Sequence, residues 1–543
     1  MNKQQRTVFG LIALVGAAIF TLFIFPNMTG ARDANMLAIF EVDEFAQYPN
    51  VIRMLTPGDT PYLTLRNFLI YLHYFYGYPF YFFSALAILP VKLLLGSGWE
   101  QHTVAIVTVL RQMINVFPML LAAGLLVYIQ TGFRSVWRSL GLFVLLMSVP
   151  VVTVNNQWWH PDSLVFIFIA LTFFFLDRDN LRFGRNFLLA AVACGLATGT
   201  KHLGLFFGLA IPVYLVWGVV GKHITWKRGL GMAAAFVGVM VAAVIASNPL
   251  LLLPMERAEI IATQKWQFEQ TSVGIILANK NPYFQWGVYP EDFRVHYGEL
   301  FFVVLALAAL VIGMIRPQKR VLHVMILAWA IPFVYTVTNM GTQRTHYLLP
   351  VMLPIFSTLV NWFPERPQPG RTGWRAWLWR WAPWLAGALI LVQFAIFLRT
   401  DARVYTSQLT REQDSPSIVF YDKLEEAVFT PLKERKLVIY RDWHIYVPEA
   451  TAGRVEMNWD FPNYAYIDDL NPDLILLERE NLLLFSKPET VQEAVDPGDM
   501  QLIHEFYADA QADRLPGYHL LLSDSFGSVF VKDALYQQYF AGQ

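Results

Sequence analysis

The chain has 543 residues, enough for three or four soluble domains at roughly 150 residues each. Its composition excludes that organisation, because 55% of the residues are hydrophobic, only 15% are charged and the mean hydropathy is +0.40. The net charge is zero, yet 28 basic and 16 acidic residues precede Arg399, while 13 basic and 25 acidic residues lie from there onward. We therefore expect a membrane-embedded part (1–398) fused to a soluble part (399–543). The single cysteine, Cys194, excludes an intramolecular disulfide and a cysteine-based zinc site.

Long apolar runs occur repeatedly up to residue 398 and not after it. Crossing a hydrocarbon core of about 30 Å takes about 17 to 25 apolar residues in a helix. The first run, 8–25, is followed by no small-x-small cleavage site, so we interpret it as a retained helix rather than a signal peptide. Further spans are expected near 137–154, 161–176, 187–199, 203–220, 230–253, 298–315, 321–338, 346–362 and 381–398.

Basic clusters in short connections predict the orientation, because such clusters stay on the cytoplasmic side. The expected protein lies in the inner (plasma) membrane with its N-terminus inside. The first loop 26–66, the large loop 254–297 and the part after Arg399 are expected outside. The clusters are Arg134/Arg138, Arg178/Arg182/Arg185, Lys222/Lys227/Arg228, Arg316/Lys319/Arg320 and Arg366/Arg371/Arg375/Arg380.

The segment 67–130 must cross an odd number of times to bring Arg134 back inside. Residues 68–95 are long enough for two short helices broken at Gly77-Tyr78-Pro79, since proline interrupts helical hydrogen bonding. With 103–130, that gives three crossings here and thirteen in all. If 61–95 only lies in the interface, the total is eleven. Either number leaves the C-terminal part outside.

The part after residue 399 has the pattern of a soluble α/β domain of ordinary size. Residues 436–440 and 473–477 are apolar runs bounded by polar turns, which is typical of buried strands. Residues 520–523 and 528–532, joined by a short turn, predict a terminal hairpin.

The first external loop contains two adjacent acids, Asp43 and Glu44, within the stretch 38–48. If this stretch is a short helix, adjacent side chains point about 100° apart. One carboxylate could then reach a reacting centre while the other braces it or binds a sugar hydroxyl. The alternative is an acidic, solvated loop edge.

A second polar cluster, 155–162, precedes a span and ends in Trp158, Trp159, His160, Pro161 and Asp162. Asp162 after proline is typical of a helix start, so capping is one explanation. The other is that His160 and the tryptophan pair line a sugar pocket above the bilayer, with Asp162 helping to shape it.

Two cationic segments lie at the same expected membrane boundary. Lys201 and His202 join two spans almost without a loop, and Arg344, His346 and Tyr347 open another span. A charge at this depth is costly unless it reaches water or pairs, so each segment could be a simple interfacial anchor. Anchors should occur on both sides, whereas all four polar clusters are expected on one side.

Several activities lack their signatures. The sequence contains no GxxxxGK[ST], HExxH or GxSxG motif, and no basic groove interleaved with aromatics for nucleic acid.

A site that combines acidic and cationic side chains suits the transfer of a sugar from a lipid phosphate. The leaving phosphate needs cations, and the acceptor hydroxyl needs one carboxylate base.

On these residues the chain resembles the GT-C glycosyltransferases, especially bacterial relatives of protein O-mannosyltransferases and aminoarabinose transferases. The resemblance covers 1–362, and its order and spacing are similar to the family. It departs from the family at Tyr78-Pro79-Phe80, where a cation is usual, and at His346, where an arginine is usual. The WWDYG signature of oligosaccharyltransferases is absent. The residues that carry the resemblance are Asp43-Glu44, Tyr76–Tyr81, His160-Pro161-Asp162, Thr200-Lys201 with Gly204, and Arg344–Pro350.

The resemblance implies a polytopic α-helical membrane enzyme with 11–13 transmembrane helices and an extracytoplasmic C-terminal domain. It implies inverting transfer of one sugar from a polyprenyl-phosphate donor to a glycan, lipid or protein acceptor. Asp43 is the expected base and Glu44 its catalytic neighbour. Lys201, His202 and Arg344 are expected to bind the donor phosphate. Residues that would contact the sugar or acceptor are Trp159, His160, Asp162, His346 and Tyr347.

Two further expectations concern the surroundings of this site. The loop 254–297, with Lys265, Trp266 and Tyr283, could be a flexible cover. No cofactor is required, since no ligand set is dense enough to demand a metal, although a divalent metal could bind near Asp43.

The main alternative function is a transporter or flippase of a lipid-linked sugar. Such a protein would have polar residues through the bundle, and Arg111 and Asn115 are examples here. A non-catalytic assembly subunit is the third possibility.

Overall fold

The structure is a computed structural model that describes residues 2–278, 288–317, 319–341, 344–363, 374–451 and 453–542. Within these ranges the chain forms a helical membrane part followed by a small α/β domain, as the sequence predicts. Tyr283 and two members of the last basic cluster, Arg366 and Arg371, lie outside the described residues.

In the described residues of the membrane part there are nineteen helices, some of them joined by 3₁₀ or π segments. They are α1 Lys3–Asn27, α2 Ala34–Phe40, α3 Val42–Leu55, α4 Pro61–Leu69, α5 Tyr78–Leu95, α6 Thr103–Leu110, α7 Phe117–Thr131, α8 Val136–Met147, α9 Pro150–Asn155, α10 Asp162–Asp179, α11 Arg185–Thr200, α12 Ile211–Val220, α13 Trp226–Ser247, α14 Pro254–Val273, α15 Glu291–Tyr297, α16 Leu300–Ile315, α17 Arg320–Thr338, α18 Leu349–Ser357 and α19 Trp374–Asp414. A π segment, Arg111–Val116, joins α6 to α7, and 3₁₀ turns cover Trp99–Gln101, His202–Leu209, Pro249–Leu252, Thr345–Leu348 and Thr358–Trp362.

Seven helical segments in the described part are long and apolar enough to cross a membrane, and an eighth is the pair α15–α16, bent by 62°. The other predicted spans are shorter or carry more charge. The predicted span 137–154, for example, divides into α8 and α9 at Pro150. The seven segments are Lys3–Asn27, Tyr78–Leu95, Thr103–Thr131, His202–Val220, Trp226–Ser247, Arg320–Thr338 and Trp381–Leu432.

Helix α5 starts and ends at the same face of the bundle, although it is long enough to cross. Before its first residue, the Gly77 amide donates to the Thr200 carbonyl oxygen at 2.9 Å, and a Cβ on Gly77 would overlap the Gly199 carbonyl. Near its other end, Lys92 donates to the Leu55 carbonyl at the end of α3. Since α3 and the end of α11 lie at the face that carries Asp43, the segment 61–95 does not cross. These contacts favour eleven crossings over thirteen.

The C-terminal domain is a five-stranded mixed sheet in the order β2-β1-β3-β5-β4. β2, β1 and β3 are parallel, and β5 pairs antiparallel with both β3 and β4. The predicted strands and the terminal hairpin are confirmed. The strands are β1 Val438–Arg441, β2 Arg454–Glu456, β3 Leu474–Glu478, β4 Tyr518–Ser523 and β5 Gly527–Lys532, and the helices are α20 Pro416–Leu424, α21 Thr430–Leu432, α22 Tyr464–Leu470, α23 Arg479–Phe485, α24 Pro488–Glu493, α25 Pro497–Gln511 and α26 Asp533–Tyr539, with a π segment Glu425–Phe429 and a 3₁₀ turn Glu449–Thr451.

Both faces of the sheet are covered, which explains the continuous apolar pattern of β3. All five β3 residues are buried. Leu474 and Leu476 belong to one apolar core with α20, whereas Ile475 and Leu477 belong to a second core with α25. The domain is therefore a three-layer α/β unit.

The C-terminal domain is anchored to the first loop of the membrane part. Helix α19 continues past the charge boundary at residue 399 to Asp414, and its Arg411 donates to Thr29. Asn35 Nδ2 donates to the Val447 carbonyl at 3.0 Å, and the Tyr446 hydroxyl donates to Asp33 at 2.9 Å. Helices α2 and α3 therefore lie between the membrane bundle and the soluble domain.

Candidate functional site

Helix α3 separates the two adjacent acids as its geometry requires. A break at Glu41, with φ −149° and ψ 86°, ends α2 and starts α3. Glu44 then points into the bundle and is completely buried, while the Asp43 side chain is 31% exposed. Asp43 Oδ2 lies 3.7 Å from Arg344 Nη1. The prediction that one carboxylate braces while the other faces the reaction is consistent with this geometry.

Glu44 forms a buried two-pronged ion pair with Arg111. Arg111 Nε and Nη2 donate to the two Glu44 oxygens at 2.8 and 2.5 Å, and Glu44 also accepts the Trp159 amide at 2.6 Å. Arg111 Nη1 donates to the Asn27 and Thr29 carbonyls at 2.9 Å each. This network connects α3 to α1 and to the π segment between α6 and α7.

The burial of Glu44 fits the bracing role and not the alternative of binding a sugar hydroxyl, and the burial of Trp159 corrects its predicted contact with the sugar or acceptor. Glu44 has no exposed surface and its two oxygens are occupied by Arg111 and Trp159. Trp159 is also fully buried; its indole donates to Ser84 Oγ at 2.9 Å and its ring stacks on Phe80. Their role is to hold the site in shape.

Asp162 is the centre of a buried cluster at the start of α10. Its Oδ1 accepts from Lys201 Nζ at 2.8 Å. Its Oδ2 contacts His160 Nδ1 and lies 3.5 Å from His346 Nε2. The N-cap position of α10 is occupied by Pro161, and Asp162 is the first residue of the helix. The capping interpretation of this residue is therefore wrong.

Lys201 is buried rather than extended to water, so simple anchoring at the interface does not describe it. Besides its bond to Asp162, its ammonium lies 5.0 Å from the Tyr347 ring centroid and 5.8 Å from that of Tyr76. Both tyrosine rings are suited to a neighbouring cation. Lys201 is thus a charged group held within an aromatic enclosure.

His202 is placed less centrally than the other predicted phosphate ligands. Its side chain is exposed and lies near Gln264 of α14. It makes no described contact with Asp162 or Asp43, in contrast to Lys201 and Arg344. Its phosphate-binding role remains a prediction.

Tyr76, Trp158 and Asn115 complete the site. The Tyr76 hydroxyl hydrogen-bonds to His160 Nε2 at 2.6 Å, and Trp158 stacks on the His160 ring with centroids 4.2 Å apart. From the π segment, Asn115 Oδ1 accepts the His160 amide at 3.1 Å. The available signals were Tyr76 next to a helix break and a charged Arg111 inside an apolar span, since such residues are usually functional or paired.

The Asp43 carboxylate is close enough to influence the pKa values of two histidines, His73 and His160. Burial lowers the pKa of His73 to about 4, and the nearby Asp43 carboxylate opposes that shift. Burial also lowers the pKa of His160, against the effects of Asp162 and, more weakly, of Asp43. Asp43, Arg344, Lys201, His160, Asp162, His346 and Tyr347 therefore come together at one face of the bundle.

His160, Asp162 and His346 form a group that could hold a metal ion. His160 Nδ1, Asp162 Oδ2 and His346 Nε2 lie within 4.8 Å of one another, and all three residues are buried. Two imidazoles and a carboxylate are a common donor set for zinc and similar transition metals. Among the described residues this is the group that fits, and it does not include Asp43, where the sequence suggested that a metal could bind.

The predicted flexible cover is mostly a helix, α14, which packs beside the site. Gln264 Nε2 donates to the Tyr74 carbonyl at 2.7 Å, and the Trp266 ring contacts Phe75 with centroids 5.5 Å apart. The Gly341 amide donates to the Thr271 carbonyl at 3.0 Å, and Leu277 bridges to Ala494 of the C-terminal domain. Lys265 is exposed and 3.6 Å from Glu269. The described part of this segment is therefore an ordered connection between three regions.

The fold of the chain is similar to that of solved membrane proteins. ArnT from Cupriavidus metallidurans bound to undecaprenyl phosphate is similar in fold, with a TM-score of 0.50, 12% identity, and coverage of 95% of this chain and 97% of that one. The apo oligosaccharyltransferase of Archaeoglobus fulgidus has a TM-score of 0.51 and 12% identity, covering 90% of this chain and 72% of that one. Family models and curated protein sequences give no match.

The buried Glu44–Arg111 pair predicts a large cost for removing one charge. Glu44→Gln leaves Arg111 buried without its partner, so we expect the free energy of unfolding to fall by about 3–5 kcal/mol. Thermal unfolding of the detergent-solubilised protein measures this. Glu269→Gln, which removes the exposed partner of Lys265, is the matched control and should change stability by about 1 kcal/mol or less. Equal effects of the two substitutions would refute the structural role.

Glu41 predicts a pH dependence of stability. Burial and, after it, the Glu44 carboxylate raise the pKa of Glu41 to about 8 from 4.5. The folded protein then holds a proton that the unfolded chain releases, so the free energy of unfolding decreases as the pH rises from 4.5 towards 8. Glu41→Gln should weaken this decrease when melting temperatures are compared between pH 5 and 9. Parallel pH profiles for the two proteins would contradict the prediction.

Proposed function

We propose that this protein is a membrane glycosyltransferase that transfers a single sugar from a polyprenyl-phosphate donor to an acceptor, with inversion at the anomeric carbon. The observation that carries the proposal is the 3.7 Å contact between the Asp43 carboxylate and Arg344 beside the buried Lys201–Asp162 pair. A base and a cationic phosphate site are the minimum requirement for this reaction.

The donor assignment rests on charge and on the fold. The ArnT structure of the same fold was obtained with undecaprenyl phosphate bound. In this chain Arg344 is half exposed and Lys201 is buried next to it in the aromatic enclosure, so one cation is accessible and the other preorganised. We infer that the phosphate of a polyprenyl-phosphate sugar binds between them, with His202 at the edge.

The transfer can be written with these residues alone. Asp43 accepts the proton of the acceptor hydroxyl as its oxygen attacks the anomeric carbon. The bond from that carbon to the phosphate oxygen breaks on the opposite side, and the polyprenyl phosphate leaves with the electron pair. Arg344 and Lys201 stabilise the charge on the leaving phosphate, which needs no proton. His160, His346 and Tyr347 lie where they could contact the sugar or the acceptor.

We also propose that His160, Asp162 and His346 hold a divalent metal. Such an ion would supply positive charge next to the leaving phosphate, supplementing the two cations. Lys201 already neutralises the other Asp162 oxygen, so one carboxylate would serve both the ammonium and the metal.

The orientation of the chain supports a reaction outside the cytoplasm. The N-terminus lies against the first basic connection, where Gln4 Nε2 donates to the Arg134 carbonyl at 2.7 Å. Lys319 of another basic connection pairs with Asp177 at 2.6 Å, at the ends of the helices far from the site. By the positive-inside rule we propose that this face is cytoplasmic and that the site and C-terminal domain are extracytoplasmic at the plasma membrane.

A transporter or flippase is the main alternative, and the buried polar residues of the bundle argue against it. Arg111 and Asn115, which interrupt the span 103–130, bind Glu44 and the His160 amide instead of lining a separate path. Incubating the purified protein with a labelled polyprenyl-phosphate sugar and an envelope extract separates the classes. Bond cleavage with a labelled product supports transfer, translocation of intact donor in liposomes supports a flippase, and neither supports an assembly subunit.

Asp43 is the residue whose substitution tests the proposed mechanism. Asp43→Asn keeps the shape of the side chain but cannot accept a proton, so we expect the rate of transfer to fall by about 100- to 10,000-fold. Asp59→Asn, an exposed acid of the same loop, is the control and should retain full activity. Full activity of a folded Asp43→Asn protein would exclude Asp43 as the base.

The metal assignment predicts a bound ion that depends on the histidines. Protein purified without chelator and equilibrated with zinc should retain about one ion per chain by elemental analysis, since two imidazoles and a carboxylate form a tight site. His346→Ala should lose it. His296→Ala, which changes a half-buried histidine outside the cluster, should not. A metal content that is equal in all three proteins would contradict the assignment.

A further inference from the structure

The C-terminal domain has a second polar site at the carboxyl ends of its parallel strands. β1 is flanked by β2 on one side and β3 on the other, and the chain leaves β1 and β3 in opposite directions. In open α/β sheets, ligands bind in the crevice at such a switch point. The residues that follow the two strands here are therefore the ones to examine for binding groups.

The loop after β1 and the end of β3 provide a connected set of hydrogen-bonding groups. His444 Nδ1 hydrogen-bonds to Glu478 Oε2 at 3.0 Å, and the His444 side chain is 49% exposed. Asp442, buried beneath them, accepts from the Glu478 amide at 2.9 Å, from Asn481 at 3.1 Å and from the Tyr507 hydroxyl at 2.9 Å. The arrangement is fixed from below and presents the His444 imidazole at the surface, held by the buried Glu478 carboxylate.

Aromatic rings extend this site towards α3 of the membrane part. Trp443 stacks on Phe461 and lies 5.4 Å from Trp459, centroid to centroid. Trp459 is 43% exposed and its ring lies 6.1 Å from that of Phe45 in α3. We call Trp443, His444, Trp459 and Glu478 the switch-point cluster.

The cluster is close to the proposed base. Phe45 follows Asp43 by two residues, which is a rise of about 3 Å along α3. Arg441, the last residue of β1, is buried with its guanidinium 6.0 Å from the Phe45 ring. The carboxyl end of the sheet is therefore packed against the helix that carries the base. A ligand held on Trp459 would lie against α3, on the side of the helix that carries Phe45.

We propose that the switch-point cluster binds the acceptor and that this acceptor is a neutral saccharide chain. Exposed indole faces pack against the C–H faces of sugar rings, and the exposed His444 imidazole, held by the buried Glu478 carboxylate, suits a hydroxyl group. An anionic ligand is disfavoured, because the part of the chain from Arg399 onward has 13 basic and 25 acidic residues. The assignment of this saccharide as the acceptor rests on the function proposed above, whereas the proposal that the cluster binds a saccharide does not.

Saccharide binding is tested with the full-length protein in nanodiscs on an array of neutral hexose, pentose and N-acetylhexosamine oligosaccharides. We expect the wild type to bind a subset of them. Trp459→Ala should weaken that binding by about 10- to 100-fold, as removal of a central tryptophan does in other interfaces. Trp226→Ala, an exposed tryptophan at the start of α13, is the matched control and should bind normally. No saccharide binding by the wild type, or equal binding by all three proteins, would overturn the proposal.

Two further measurements keep this proposal separate from the proposed function. Trp459→Phe retains an aromatic ring and should recover much of the binding, which a mere loss of folding in Trp459→Ala would not allow. In the transfer assay, Trp459→Ala should raise the KM for the acceptor by a similar factor with little change in kcat. If saccharide binding depends on Trp459 but the protein has no transfer activity, the proposed function is wrong and the saccharide site is not. If Trp459→Ala transfers sugar with an unchanged KM for the acceptor, only the assignment of the saccharide as acceptor is wrong.

Discussion

The buried ion pair between Glu44 and Arg111 is the interaction on which the rest of the site depends. Two charges are withdrawn from water here, and the cost is offset because every Arg111 hydrogen bond ends on Glu44 or on a carbonyl of α1 or the loop after it. The pair fixes the rotation of α3 about its axis. Since the next side chain back along the helix is directed about 100° away, fixing Glu44 inside directs Asp43 outward, towards Arg344.

The same network supports the second half of the site. Glu44 accepts the Trp159 amide, and Asn115 of the π segment accepts the next amide, that of His160. Both bonds hold the loop before α10 in the position from which Asp162 can reach Lys201. π segments are frequent at functional sites, and this one brings Arg111 and Asn115 to the same side of the helix. The soluble domain holds α2 and α3 from the other side through Asn35 and Arg441.

Much of this organisation could be predicted from the sequence. Composition and long apolar runs indicate a helical membrane protein, and short apolar runs bounded by polar turns indicate strands of the soluble domain. The different directions of Asp43 and Glu44 follow from helical geometry alone. What the sequence could not decide was which of two plausible roles each polar residue has. Asp162 after proline fits a helix cap, and only the three-dimensional contact with Lys201 rejects that interpretation.

Other features depended on pairings between distant parts of the chain. The sequence does not distinguish Trp158 from Trp159. In the structure Trp158 stacks on His160, whereas Trp159 is buried against Phe80. The grouping of His346 with His160 and Asp162 joins segments nearly two hundred residues apart in number, and no local spacing reveals it. Helix α5 is as apolar as a true span, and only the contacts at its two ends indicate that it does not cross.

The central claim is that Asp43 and Arg344, which are far apart in the sequence of the membrane part, lie in one site. Cys194 is the single cysteine, so a Cys194→Ser background allows a direct test with Asp43→Cys and Arg344→Cys and a short bifunctional thiol reagent. Mass spectrometry should find an efficient intramolecular cross-link between these two positions. The pair Gln4→Cys and Arg134→Cys, adjacent at the other face, serves as the positive control. Cross-linking of the control without any link between positions 43 and 344 would contradict the account.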